Sequence, residues 1–199
     1  GLKMGFESDE ELGAYLDAFE PTPLAWHAMQ AEGREWLELF SKENRERFDY
    51  VFTDAMTWTN KNGKRMRLWM PEETEIGDPQ DFMDQLVDNI VKVVTEPIDI
   101  HVNPTYLPAE IADQYDALWT DERIDRMVKA LAENGVALEI NNRFRIPSAT
   151  IIKKAREAGV KFTFGTNNGG ADDLGRMDYA IEMIDACGLT PQDMWYPEG

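Results

Sequence analysis

The chain has a single cysteine, Cys187, among its 199 residues. That excludes an intrachain disulfide and makes a reducing, cytoplasmic compartment the expectation. No apolar run approaches the roughly 20 residues that cross a bilayer, so no membrane partner is expected. Positive charge is also scarce: 20 Lys and Arg against 38 Asp and Glu leave a formal charge of -18. A phosphate backbone needs a basic footprint, so no nucleic-acid partner is expected either, and the acidity is read as serving solubility. There is no internal repeat, low-complexity tract or Pro/Gly/Ser linker, and residues 1–199 are read as one domain able to bury a substantial core. The opening "GLKMGFESDEELGAYLDAF" has no initiator Met, basic n-region or apolar h-region. It is therefore not read as a signal peptide, and the chain is expected to be a fragment of something longer.

What the sequence does carry is a hydrophobic fraction of 43%, with six Trp, nine Phe and six Tyr, and a β-then-α rhythm. Leu12, Tyr15, Leu16 and Phe19 recur at helical spacing behind Ser8, a capping residue, with Glu11 completing a capping box. "LAWHAMQAEG" reads as a strand, "SKENRERF" as a short helix opened by Ser41, and "DYVFTD" as the next strand. "MTWTNKNGKRMRLWM" places β-formers on both sides of an Asn-Gly turn and reads as a hairpin excursion. "DPQDFMDQLVDNIVKVVTE" is an amphipathic helix with Asp78 as cap and Pro79 in its first position. The strands "PIDIHVN", "VALEIN" and "VKFTFG" then alternate with helices closing on Gly135 and Gly159. A last helix is expected over 172–186, and "TPQDMW" begins a further turn. Five strands, most followed by a helix, predict an α/β fold with a parallel sheet, either a β/α barrel or an open doubly wound sheet. In both, ligands gather at the carboxyl ends of the strands.

Side chains alternate along a strand, so polar residues can be sorted by parity. Gln30 and Glu32 share one face of their strand, Phe52 and Asp54 of theirs, and Asp99, His101 and Asn103 of theirs. Glu139 and Asn141 oppose Leu138 and Ile140, and Thr163, Gly165 and Asn167 oppose Phe162 and Phe164. Asn and Asp also cap turns where strands stop, but all five strands show the pattern. A barrel would gather Glu32, Asp54, His101, Asn103, Glu139, Asn141 and Asn167 around one pocket. His27 falls on the apolar side of its strand and reads as a packed core histidine. Two basic clusters interrupt the acidity: Lys61, Lys64, Arg65 and Arg67 in the hairpin, and Arg143 and Arg145 after a strand end. Arg143 is the better candidate for holding an anion through its guanidinium. The turn "GTNNGG" adds backbone N–H groups that an anion could use.

"VALEINNRF", a helix, and "AGVKFTFGTNNGGADDLG" together resemble the metal-dependent phosphoesterases of the polymerase-and-histidinol-phosphatase (PHP) superfamily. "PIDIHVNPTYL" and "FDYVFTDAM" are similar to two further strands of that family, in the same order over about residues 24 to 187. The resemblance implies a distorted, TIM-like β/α barrel with a metal centre at the strand carboxyl ends. It further implies that this chain, with about five parallel strands and a hairpin, is incomplete and lacks the family's opening His-x-His strand. Met56 and Asn103 stand where the family has histidines, and Thr166, Asn167, Asn168 and Gly169 where it has a Ser-Asp-x-His motif. The resemblance thus implies a hydrolase of a small anionic substrate, with Glu32, Asp54 and Glu139 as catalytic carboxylates. Arg143, Asn141, Thr166 and Asn168 would contact the substrate. A divalent cation would be held by Glu32, Asp54, His101, Asn103 and Asn167, an oxygen-rich set suited to Mg²⁺, Mn²⁺ or Ca²⁺ rather than Zn²⁺. The alternative is an inactive relative that binds a small polar ligand without turnover. An open barrel edge would be covered by a second copy of the chain.

Overall fold

The computed structural model describes residues 5–197. Its elements, in chain order, are α1 (Asp9–Ala18), β1 (Ala28–Ala31), α2 (Trp36–Leu39), α3 (Lys42–Arg45), β2 (Tyr50–Thr53), β3 (Thr57–Thr59), β4 (Arg65–Arg67) and α4 (Pro79–Val93). There follow β5 (Ile100–His101), α5 (Tyr115–Leu118), α6 (Asp121–Asn134), β6 (Ala137–Asn141), α7 (Ala149–Glu157), β7 (Phe162–Gly165) and α8 (Asp178–Cys187). Local chemistry sets most boundaries. The Ser8 hydroxyl accepts the Glu11 N–H at 3.2 Å at the head of α1, and the Asp78 carboxylate accepts two N–H groups at the head of α4. Helix α6 stops at Gly135, whose φ of 68° is the left-handed turn that glycine takes at little cost. The hairpin β3–β4 is present; its turn is wider than the two-residue Asn-Gly turn expected, because the Asn60 amide oxygen collects the Asn62 and Lys64 N–H groups. The last helix starts at Asp178 rather than 172, since Gly175 takes a φ of 70° and breaks the helical path.

The five long-range strands are all parallel and lie in the order β1-β2-β5-β6-β7. A doubly wound sheet reverses its strand order at a switch point; this sheet does not, so that alternative is set aside. Right-handed crossovers between strands added always on one side put every connecting helix on the same face. The main core fits this: Met29, Ala31, Val51, Leu138, Ile140 and Phe162 from the sheet pack with the apolar stripes of the helices. In α4 that stripe is Phe82, Met83, Leu86, Val87, Ile90 and Val93; in α6 it is Ile124, Met127, Val128 and Leu131.

The other face of the sheet has its own small cluster, Ile100, Val102 and Ala137, with Tyr50, Phe52 and Trp195 against it. Met194 bridges in parallel to Phe162, and the Trp195 N–H donates to the Phe162 carbonyl at 2.9 Å, so the chain extends the sheet beyond β7. Three strands separate this segment from β2, yet the Trp195 and Tyr50 rings lie 5.4 Å apart. The sheet is therefore strongly curled around its second face. Among the described residues β1 and β7 do not pair with each other. No helix of the described residues is long and apolar enough to cross a membrane.

One buried carboxylate ties the sheet edge to the helix layer. Glu96, just past α4, is 7% exposed and accepts the Trp36 indole N–H at 2.9 Å. Arg34 Nε lies 2.9 Å from its other oxygen, at an angle that makes an ion pair rather than a hydrogen bond. Burial pushes the carboxyl upward, against the opposing effects of Trp36 and Arg34. Glu96→Ala would strand a buried indole donor, which costs about 1–3 kcal/mol. Urea denaturation is expected to show a loss of about 2 kcal/mol for Glu96→Ala and clearly less for Glu96→Gln, whose amide oxygen can still accept from Trp36.

Candidate functional site

Because the strands are parallel, their carboxyl ends lie together, and the side chains that follow them converge. Asn103 is the hub. Its backbone N–H donates to Glu139 Oε2 at 2.7 Å, and its side-chain amide donates to Asp54 Oδ2 at 3.3 Å. Its amide oxygen accepts from Asn141 Nδ2 at 2.9 Å and from Asn167 Nδ2 at 3.4 Å. Asn141 also donates to Glu139 Oε2 at 3.1 Å, and Asp54 Oδ1 accepts the Met56 N–H at 2.8 Å. Four of the five strands thus meet in one hydrogen-bonded network. Asn103 and Asn167 both hold positive φ, 47° and 44°, a conformation that Asn tolerates better than most residues. The chain turns sharply off β5 and β7 at these two residues, which brings their amides together; Asn103 is half-buried and Asn167 exposed.

Space for the network is made by a glycine. A Cβ on Gly165 in β7 would collide with the Glu139 carboxylate. Glu139 is 7% exposed and Asn141 fully buried. Asn142 fastens the floor: its amide donates to the Gly165 carbonyl at 3.1 Å and accepts the Ala180 N–H of α8 at 2.9 Å. Neither Gly165 nor Asn142 was singled out by residue type. The signal available for Gly165 was a small residue directly opposite Asn141 and two residues past Thr163, the partner of Glu139, which only the strand pairing exposes.

The predicted residues do not all meet. Glu32, after β1, is exposed and accepts the Thr57 hydroxyl at 3.3 Å. It reaches the cluster only through its charge, which adds to the upward shift of Asp54. Thr166, half-buried, and Asn168, exposed, are bonded to each other at 3.0 Å and make no bond to the network. Arg143 is exposed at the rim, its guanidinium donating to the Asn167 carbonyl at 3.3 Å. Arg145 points away, paired with Glu182 and stacked over Tyr179.

His101 is the clear correction. The register sets Phe52 beside Ile100 and Ala137, and Thr53 beside His101 and Leu138. His101 therefore faces the helix layer, and Ile100 and Val102 face the side that carries Glu139. Parity put His101 and Asn103 on one face; the structure separates them, because β5 ends at His101 and the positive φ of Asn103 turns the chain toward the site. His101 is wholly buried with neither ring nitrogen in a well-formed hydrogen bond. His27 is packed but not in the core as expected: it precedes β1, is half-buried, stacks 3.6 Å from Phe19 and is bonded to the Tyr15 hydroxyl.

Desolvation dominates the electrostatics. It pushes Asp54 up to about 6, against the Met56 and Asn103 hydrogen bonds, with Glu32 adding repulsion. Glu139 is raised by the same burial, against bonds from Asn103 and Asn141, with Asp54 adding repulsion. A carboxylate near 6 can accept and return a proton close to neutral pH. As a metal centre the set fits poorly. The oxygens of Asp54, Asn103 and Glu139 that face one another are already taken by amide N–H donors. Among the described residues no group of three or more His, Cys, Asp and Glu side chains is placed to hold a metal ion.

No family model matches the chain, and no curated protein matches it.

Two groups give opposite pH signatures. Asp54 ordinarily titrates at 3.8 and here at about 6. Between those values the folded chain holds the proton more tightly, so stability falls as pH rises through the window. His101 ordinarily titrates at 6.5 and here at about 4; the unfolded chain binds that proton more readily, so stability falls as pH drops through its window. In urea denaturation, Asp54→Asn is expected to be more stable than wild type at pH 7 by about 1–3 kcal/mol, with the gain vanishing near pH 4. His101→Leu is expected to flatten the loss of stability on acidification, and an unchanged acid limb would refute its assignment.

Proposed function

We propose that the strand-end cluster binds a small, donor-rich polar ligand on a PHP-like barrel scaffold, without a resident metal. The observation that carries this reading is the balance of the two buried carboxylates by amide N–H groups. In a metallohydrolase, cations balance such carboxylates; here neutral donors, Asn103, Asn141 and the Met56 N–H, solvate them instead and leave their charge in place. The curled parallel sheet, with apolar side chains filling its second face and polar ones at the carboxyl ends, supports the barrel assignment.

Charge decides the ligand class. Asp54, Glu139 and the nearby Glu32 bring three carboxylates, while Arg143 at the rim is the cation that touches the network. A phosphate ester would be repelled from such a centre unless a divalent cation came with it. A neutral polyol or sugar, whose hydroxyls donate to carboxylates and accept from the Asn167 and Arg143 N–H groups, meets no such barrier. The second reading, hydrolysis of a small anion with Mg²⁺, Mn²⁺ or Ca²⁺, is favoured by one observation: Asp54 at about 6 is poised as a general base. That reading and the need for a cation stand or fall together.

A panel of ribose, glucose and myo-inositol, followed by calorimetry in excess chelator, separates the two. Binding that survives chelation and weakens at least about tenfold in Glu139→Gln is the expected result, equivalent to about 1.4 kcal/mol. Hydrolysis of p-nitrophenyl phosphate that appears with Mn²⁺ and disappears in Asp54→Asn would instead establish the hydrolase. Gly165→Ala is expected to abolish either function by displacing the Glu139 carboxylate, while circular dichroism shows the fold retained.

A further inference from the structure

The basic residues of the hairpin are absorbed by neither reading of the strand ends, and the structure shows where they go. Two of the four leave: Arg67 forms a two-pronged pair with Glu73, and Lys64 does not line the space described next. Lys61 and Arg65 instead line a cavity of about 580 Å³ between the hairpin, the β1–α2 loop and one stripe of α4. Arg34 enters from the loop and Lys92 from α4. Two acids, Glu35 and Asp88, share the wall, but Glu35 is paired with Arg65 and Asp88 with Arg126 at 2.6 Å.

The wall thus holds four cations against two acids already engaged, on a chain whose formal charge is -18. Local accumulation of the minority sign needs a cause, because dispersed cations would serve the acidic surface equally well. The four are unequally committed. Arg34 is paired with the buried Glu96, while Lys61 and Asp81 form an exposed pair, a kind that contributes little and exchanges readily. Lys92 has no carboxylate partner among the described residues. The wall also includes Trp58, 8% exposed, whose indole N–H is buried without any hydrogen-bond partner.

We propose that this cavity is a binding site for a compact multivalent oxyanion, the phosphate or carboxylate groups of a small metabolite. Ammonium groups of Lys61 and Lys92 supply charge from two sides, and Arg34 supplies planar donors. The volume falls in the range of small-molecule sites and exceeds what a bare phosphate would fill. The site is distinct from the strand-end cluster and does not depend on the reading given to it; Thr57, which lines the cavity and donates to Glu32, is the point where the two approach.

Calorimetric titration with pyrophosphate and, separately, with citrate at low salt tests it. Saturable binding of either supports the site, and the ratio of the two affinities tells phosphate from carboxylate chemistry. Lys61→Gln/Lys92→Gln is expected to weaken binding at least about tenfold, and raising NaCl is expected to weaken it in wild type. Lys161→Gln, a control just before β7 at the other end of the strand order from β1, is expected to bind as wild type does. No heat with either anion at millimolar concentration would overturn the proposal. Equal affinity of the double variant and wild type, with the variant folded by circular dichroism, would overturn it as well.

Discussion

Everything at the strand ends depends on the cost of holding two carboxylates out of water. Asp54 directly follows β2 and Glu139 is the middle residue of β6, both raised by desolvation. A buried carboxylate must be paired, protonated or hydrogen-bonded. Here Asn103 donates to both from one residue, which requires the chain to leave β5 in a left-handed turn and Asn141 and Asn167 to close around its amide oxygen. The strain at two asparagines and the empty space at Gly165 follow from that requirement. Strained, desolvated groups of this kind reduce stability where they serve a site.

Charge organises the molecule at two scales. The surface carries the excess acidity, and the ion pairs between α4 and α6, and between α6 and α7, are mostly exposed and individually weak. The exceptions lie at strategic places. Arg123 is 7% exposed and donates to Asp84, Gln80 and the Leu118 carbonyl, clamping the head of α6 to α4. Glu96 does the same for the β1–α2 loop. These buried ions hold helices in place around the curled sheet, and the strand ends inherit their geometry.

The order and type of the elements were legible because helix caps, positive-φ glycines and apolar stripes are local signals. Ser8, Ser41, Asp78 and Gly135 each do what their residue type implies. The extent of the strands was not legible: β5 is paired over two residues, although "PIDIHVN" alternates over seven. Pairing length depends on the neighbours' register, which no single segment contains. The same holds for α2, α5 and the Met194 bridge, which form on contact with the core and carry no strong local signal of their own.

The amino-acid sequence alone determined that polar residues would stand at the carboxyl ends of successive strands, because alternation and strand direction are properties of the chain. Asp54, Glu139, Asn141 and Asn167 follow from that, whereas Asn103, on the face of His101 by alternation, enters the site through its positive φ. Tertiary structure decided which face of each strand turns toward the others, and so removed His101, whose neighbours Thr53 and Leu138 face the helices. It also decided that Glu32 and Arg143 stop at the rim, and that Gly165 yields its space to Glu139. The physical reason is that a face is buried by what packs against it, and curvature of the sheet, not the composition of a strand, selects the side on which the polar ends converge.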